Sequence, residues 1–194
     1  ASLPNPLTGP SCVVIRDAGT YAEQVTARNI LNDGHRLTIM GDPGLAGSVP
    51  VISPPAASTG AFVIQNASVT LLNLTVRGAS AMPYGVYASS AYVTISSVSV
   101  DSGGKIYTAG VAISSWTAVS YSSVTVQSAH GIHVDGSSNT ISYSTAANAS
   151  GFYGLRLTGA NNNSILNCAF SNSGNAAVSL WGSSFNTLRR SYLI

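Results

Sequence analysis

Four polar side chains in the second half of the sequence have types that suit acid–base chemistry or sugar binding. His130, His133 and Asp135 lie close together in the chain, and Arg156 follows 23 residues after His133. A histidine and a carboxylate can move protons, and an arginine can hold an anionic or hydroxyl-bearing group. These four residues are the catalytic candidates if the protein acts on a polysaccharide, although the sequence alone assigns a catalytic role to none of them.

Aromatic residues recur around this cluster. An aromatic ring packs on the apolar face of a sugar, while neighbouring polar groups bind the hydroxyls. The sequence therefore predicts a carbohydrate-binding surface made of Tyr84, Tyr87, His133, Asp135, Tyr153, Arg156 and Trp181. A polar surface patch, with tyrosines that only cover turns, explains the same residues and stays open as an alternative.

The spacing His130-x-x-His133-x-Asp135 also resembles a metal-binding cluster. A metal needs ligands that converge on one point, and His130 is expected to lie across a bend from the other two. The sequence predicts neither a metal site nor a cofactor.

A repeat of 21 to 25 residues must position these side chains. Each repeat begins at a small anchor residue followed by an apolar–x–apolar pair, and the anchors are Ala61, Gly85, Gly110, Gly131, Gly154 and Ala177. Two further short pairs follow, so each repeat is predicted to hold three strands of period two. Such strands bury their inward side chains only when equivalent strands stack above and below. The sequence predicts an all-β fold, a single-stranded parallel β-helix of about seven to eight coils over 12–194, after an irregular segment 1–11.

Stacked coils place equivalent residues about 4.8 Å apart. On the core side this aligns Asn139, Asn163 and Asn186, which we expect to form a buried amide ladder. On the outward side it predicts one hydroxyl column of Thr70, Thr94, Ser120, Thr140, Ser164 and Thr187, and a second of Thr75, Ser99, Thr125 and Thr145. A hydroxyl array can order water, as in ice-binding solenoids, but exposed threonine is also common in ordinary strands.

Three segments resemble right-handed parallel β-helix proteins of the pectin-lyase-like superfamily. Segment 14–25, with Gly19-Thr20-Tyr21-Ala22-Glu23, is similar to the early coil of pectinesterase- and polysaccharide-lyase-like proteins, and 37–42 follows it as it does there. Segment 131–141 resembles the generic β-helix repeat. The resemblance implies a right-handed helix. It does not fix the function, because the superfamily contains lyases, hydrolases, epimerases, adhesins and phage tailspikes.

The enzyme alternative depends on acidic residues that are scarce here. Segment 129–133 is similar to the histidine motif of polygalacturonases, but the accompanying aspartate and Arg/Lys motifs are absent. From residue 60 onward the chain has two carboxylates, Asp101 and Asp135, which the register places on different faces. Glycoside hydrolysis uses paired carboxylates, so the sequence leaves enzymatic activity undecided.

Composition removes several other classes of protein. The chain has 8 Lys+Arg against 6 Asp+Glu, a net charge of +2 and only 7% charged residues, so no basic stripe for nucleic acid is expected. No apolar run approaches the roughly 18 residues of a membrane span. Cys12 and Cys168 fall several coils apart and are expected to be free and buried.

Together these patterns predict a secreted or cell-surface β-helix that contacts glycans or serves as a structural, adhesive module. A polysaccharide-acting lyase, hydrolase or epimerase, or a fragment of one, is the alternative, and ice binding through the Ser/Thr face is the third. The register ends in the third strand of a coil instead of a cap. An open strand edge invites pairing, so we expect further domains or self-association at the C-terminal end.

Overall fold

Short runs of alternating inward and outward side chains form 21 β-strands in the computed structural model. The structure describes residues 4–30, 32, 34–45, 48–89 and 92–194, and those residues contain no α-helix. The first strands are β1 (Ser11–Ile15), β2 (Thr20–Tyr21), β3 (Val25–Arg28), β4 (Leu37–Gly41), β5 (Val51–Ile52), β6 (Gly60–Gln65) and β7 (Val69–Arg77). Then come β8 (Met82–Ser89), β9 (Val93–Asp101), β10 (Ile106–Ile113), β11 (Ala118–Ser120), β12 (Ser123–Val126), β13 (His130–Val134) and β14 (Thr140–Ser142). The last are β15 (Thr145–Asn148), β16 (Leu155–Thr158), β17 (Ser164–Leu166), β18 (Ala169–Asn172), β19 (Val178–Trp181), β20 (Thr187–Arg189) and β21 (Tyr192–Leu193).

Two parallel sheets wrap around one core, and the predicted right-handed parallel β-helix is confirmed, with about seven turns. The seven-stranded sheet has the order β19-β16-β13-β10-β8-β6-β3 and holds the first strand of each coil. The 14-stranded sheet holds the second and third strands. These are separate in the later coils, as predicted, whereas β7 and β9 each run through both as one strand of 9 residues.

Each coil turns between its second and third strands through a residue in the left-handed conformation. We call this position the second corner. Its φ lies between 49° and 54° in Asn73, Ser97, Tyr121, Tyr143, Asn167 and Arg190. No β-branched residue occupies the column, in keeping with the steric cost of positive φ for such side chains. The chain therefore bends in the same way in six successive coils.

The anchor glycines decide which side chains reach the solvent from the seven-stranded sheet. A Cβ atom at Gly110 would lie 2.3 Å from Cγ1 of Val124, and one at Gly131 would lie 2.9 Å from Cβ of Ala146. The anchors therefore face the core, and so does the residue that follows each of them, such as the fully buried Ile132. Because the anchor and the residue after it both point inward, the residues on either side of this pair both point outward.

One coil departs from the register expected from the sequence. Val119 pairs with Ile95 and Ile141, so Ala118, not Ser120, aligns with Thr94 and Thr140. The neighbouring hydroxyl column is corrected in the same way, since Ser123, not Thr125, pairs with Thr145. The register differs because the first inward position of this coil holds a polar residue, Thr117, so the apolar–x–apolar pattern does not mark it.

The hydroxyl columns therefore do not form an unbroken array. Ala118 interrupts the first column, and Arg36 covers part of it, because Nη1 of Arg36 lies 2.7 Å from Oγ1 of Thr94 and 3.4 Å from Oγ1 of Thr70. Ice binding requires a regular, open array of hydroxyl groups, which this surface does not provide.

Both cysteines are free, but the expectation that both are buried is wrong for one of them. Cys168 is 2% exposed, whereas Cys12 is exposed. Cys12 pairs with Thr38, which pairs with Thr70, so it belongs to an outward column.

The last coil leaves apolar side chains in contact with solvent. Leu180, Leu188 and Leu193 are 57%, 40% and 52% exposed, although they continue inward columns of the core. In the part of the chain that the structure describes, there is no helix of the length and apolarity needed to cross a membrane.

Candidate functional site

The outward side of the seven-stranded sheet brings most of the predicted binding residues onto one surface, which we call the first-strand face. Its side chains lie in three rows that run along the helix axis. The row before the anchors is Tyr84, Ala109, His130 and Tyr153. The row formed by the second residue after each anchor is Tyr87, Ala112, His133, Arg156 and Ser179. The row at the strand ends includes Ser114, Asp135, Thr158 and Trp181.

The two tyrosines of β8 form one wall of this face. The rings of Tyr84 and Tyr87 stack with centroids 4.8 Å apart. Burial raises the pKa of Tyr84, and the nearby Tyr87, Asp135 and Tyr107 raise it further. Asp135 belongs to a coil two steps along the axis, and the small side chains of β10 lie between it and Tyr84. Ala109 and Ala112 are accordingly 0% and 6% exposed although they face outward.

His130 is the centre of a second cluster. Its ring stacks on Tyr153 at 5.6 Å and meets the edge of Phe152 at 5.0 Å. Nε2 of His130 lies 3.0 Å from Nη1 of Arg156, and Nδ1 lies 3.4 Å from the backbone N–H of Tyr153. A neutral imidazole has one acceptor nitrogen, so only one contact is a hydrogen bond at a time. The shorter, charge-assisted contact with Arg156 is the stronger.

His133 sits between groups of opposite charge. Its Nε2 lies 3.2 Å from Oγ1 of Thr158, and its ring centroid is 5.5 Å from that of His130. Burial lowers the pKa of His133, and Arg156 lowers it further, whereas Asp135 acts in the opposite direction. His133 is therefore a neutral hydrogen-bonding group at neutral pH, with a carboxylate and a guanidinium beside it.

Protonation of His130 is expected to destabilise the protein. Burial, then His133, then Arg156 lower the pKa of His130 to about 4, below the ordinary value of about 6.5 that it has in the unfolded chain. Between these values the unfolded state binds a proton that the native state does not, so stability falls as the pH falls. The free energy of unfolding from urea denaturation should be lower at about pH 5 than at about pH 7.5.

The variant His130→Gln should reduce this difference, because it removes one titrating group and keeps a hydrogen-bonding side chain. The residual dependence belongs to His133, whose pKa is lowered in the same direction. The variant Thr140→Ser, on the exposed outward side of β14 in the other sheet, changes no titrating group and should leave the difference unchanged. An equal pH dependence in wild type and His130→Gln would contradict the assignment.

The structure therefore brings together Tyr84, Tyr87, His133, Asp135 and Arg156, and it leaves two predicted binding residues aside. The ring of Tyr153 stacks on the ring of His130. Trp181 lies in the same row as Asp135, opposite Thr158, but two coils further on, and it is 65% exposed. His130 and His133 lie in the same strand, β13, with ring centroids 5.5 Å apart, so the expected bend between them is wrong.

Sequence reasoning missed three side chains that shape the face: Tyr107, Phe152 and Thr158. Phe152 precedes a predicted residue directly, and Thr158 ends a predicted strand, so both positions were visible in the repeat. The contacts were not, because they depend on side-chain direction.

The three asparagines have a structural role behind this face. Nδ2 of Asn139 donates to Oδ1 of Asn163 at 2.9 Å, and Nδ2 of Asn163 donates to Oδ1 of Asn186 at 2.9 Å. Each acceptor oxygen also takes the backbone N–H of the preceding asparagine, and Asn139 takes that of Thr117. The ladder thus satisfies backbone donors at the corner that follows the first strand.

No group of three or more His, Cys, Asp or Glu side chains that could hold a metal ion occurs among the residues the structure describes. Comparison with known proteins supports the fold. Residues 109–193, from β10 to β21, match the family model of the right-handed β-helix region. No curated protein and no solved structure matches the chain.

Proposed function

We propose that this right-handed parallel β-helix binds a polysaccharide through its first-strand face. The observation that carries the proposal is the placement of two stacked tyrosines, an imidazole and two opposite charges in neighbouring rows on one face of the seven-stranded sheet. Tyr84 lies within electrostatic range of Asp135, and Asp135 and Arg156 both act on His133. The proposal includes a location outside the cell or at its surface, where such polymers are found.

The chemistry of the face suits a sugar chain. Sugars present apolar C–H faces, which pack on aromatic rings, and hydroxyl groups, which bind imidazole, carboxylate and guanidinium groups. Five coils, from β8 to β19, span about 19 Å at about 4.8 Å per step. This length accommodates several sugar residues, and Trp181 lies at its far end with an exposed ring.

The enzyme alternative would need a second group to act with Asp135. Asp101, the other acid of the regular coils, lies at the end of β9 in the 14-stranded sheet, whereas Asp135 follows β13 of the seven-stranded sheet. Both ring nitrogens of His130 already face donors. We therefore propose binding as the function and expect no product to form from the bound polysaccharide.

Binding to a panel of immobilised polysaccharides, followed by calorimetric titration of the tightest ligand, tests the proposal. We expect Tyr87→Ser and Asp135→Asn each to weaken binding about tenfold, because each removes a contact worth about 1.4 kcal/mol. The control Tyr92→Ser removes a ring that is 57% exposed elsewhere on the surface and should leave the affinity unchanged.

Two results would contradict the proposal. One is that no polysaccharide binds, or that Tyr87→Ser and Asp135→Asn bind like wild type. The other is the release of new reducing ends or of unsaturated uronate products during incubation, which would establish the enzyme alternative instead.

A further inference from the structure

The second corner carries a stack of aromatic rings that stops after two coils. Tyr121 and Tyr143 are 64% and 55% exposed, and their rings lie nearly parallel, with centroids 5.1 Å apart. The next coil has Asn167 at the same position, and the coil after that has Arg190. The stack is therefore followed by one position without a ring and then by a planar guanidinium group.

A cavity occupies the place where the next ring would lie. Its volume is about 470 Å³. The residues that line it include Tyr143, Thr145, Asn167, Ala169, Arg190 and Tyr192. Thr145, Ala169 and Tyr192 are partners in successive coils, so Asn167 and Ala169 form the floor, with Tyr143 on one side and Arg190 and Tyr192 on the other. We call this cavity the corner slot.

The width of the corner slot fits one ring. Its two walls belong to coils two steps apart, which is about 9.6 Å. Two successive ring contacts of about 4.5 to 5 Å fill that distance. A bound ring would therefore continue the spacing that Tyr121 and Tyr143 already have.

The polar groups of the corner slot favour an anionic ligand. Among the described residues, none forms an ion pair or hydrogen bond with the guanidinium of Arg190 or with the side-chain amide of Asn167. Arg189 and Arg190 also line a neighbouring cavity of about 210 Å³. The residues that line the two cavities include these two arginines and no acidic residue, so the charge at the slot is positive.

We propose that the corner slot binds one residue of an acidic polysaccharide. The sugar ring stacks on Tyr143, its carboxylate pairs with Arg190, and its hydroxyls bind the amide of Asn167. An exposed Arg–carboxylate pair next to an aromatic wall combines charge with ring packing. The corner slot lies on the 14-stranded sheet, so it is a second site, separate from the first-strand face and independent of the function proposed for it.

A matched pair of ligands tests the charge requirement. A cello-oligosaccharide and its C6-oxidised counterpart of equal length differ only in their carboxylates. We expect the oxidised oligomer to bind at least about tenfold more tightly, and its binding to weaken as salt is added. Equal affinity for the two oligomers would overturn the proposal, and so would tighter binding of a single-stranded oligothymidylate of equal charge.

Two variants test the location. Arg190→Gln should lower the affinity for the oxidised oligomer at least about tenfold. Asn167→Tyr should abolish binding, because it fills the slot with a third ring. The column already accepts tyrosine at positive φ, since Tyr143 has φ 49° and Asn167 has φ 53°, so this variant should keep the melting temperature of wild type.

The controls separate this site from the first-strand face. Tyr92→Ser removes a ring from the Tyr92–Trp116 pair. Arg16→Gln removes an exposed arginine that follows β1, at the opposite end of the solenoid. Both should bind the oxidised oligomer normally, and so should Tyr87→Ser. Unchanged binding by a folded Asn167→Tyr protein would refute the corner slot, whatever the result for the first-strand face.

Discussion

The variant Ile132→Asp is expected to prevent cooperative folding. Ile132 is 0% exposed and pairs with Val111 and Leu155 in the middle of the seven-stranded sheet. An aspartate there would place an unpaired charge among apolar side chains, at a cost of several kcal/mol. A domain of ordinary stability, about 5 to 15 kcal/mol, would lose most of it. Circular dichroism during urea unfolding should show no native baseline, or a strongly lowered midpoint.

Two companion variants keep this prediction specific. Ile132→Val should unfold cooperatively and lose only about 0.5 to 1.5 kcal/mol. Thr140→Lys, on the exposed outward side of β14, should change stability by no more than about 0.5 kcal/mol. If Ile132→Asp and Thr140→Lys were equally well tolerated, the assignment of inward and outward positions would be wrong.

The second large effect is expected for Asn163→Ala. The side chain of Asn163 is 2% exposed and takes part in four hydrogen bonds, with N and Nδ2 of Asn139, the carbonyl of Gly136 and Oδ1 of Asn186. Its truncation removes the acceptor of the backbone N–H of Asn139 and one of the two acceptors of its Nδ2, which keeps the carbonyl of Gly136. With about 1 to 3 kcal/mol for each unsatisfied buried group, the loss in the free energy of unfolding should be about 3 kcal/mol.

The neighbouring residue supplies the control. Ser164 follows Asn163 in the chain and points outward from β17, so Ser164→Ala should stay within about 0.5 kcal/mol of wild type. Urea denaturation of both variants measures the difference. A loss below about 1 kcal/mol for Asn163→Ala would mean that water replaces the ladder at little cost.

The inward columns were predictable because a parallel β-helix repeats the same burial in every coil. Asn139, Asn163 and Asn186 stand two residues before an inward apolar side chain, so their alignment follows from the repeat alone. Thr117 occupies the equivalent place one coil earlier, but its polarity hid the inward position and shifted the expected register by two residues. The same shift of register would place Tyr121 inward, whereas it is 64% exposed at the second corner.

The candidate sites were less predictable, because alternation determines which face a residue takes and leaves open what its side chain touches there. The sequence placed His133 and Arg156 in one outward row. It did not show that Arg156 contacts His130, which requires the two inward positions at Gly131 and Ile132. Nor could it show the corner slot, whose shape depends on Asn167 being smaller than the rings before it.

The asparagine ladder has a consequence for how proteins of this kind change length during evolution. Asn139 and Asn163 each offer an amide to the following coil and an oxygen to the preceding one, so a duplicate of either coil would meet matching partners on both sides. A gene duplication of one whole repeat can therefore lengthen the solenoid without leaving a buried donor unmatched. An insertion of a few residues within the ladder corner has no such compensation, and selection would remove it. Length should thus vary among descendants in steps of one coil.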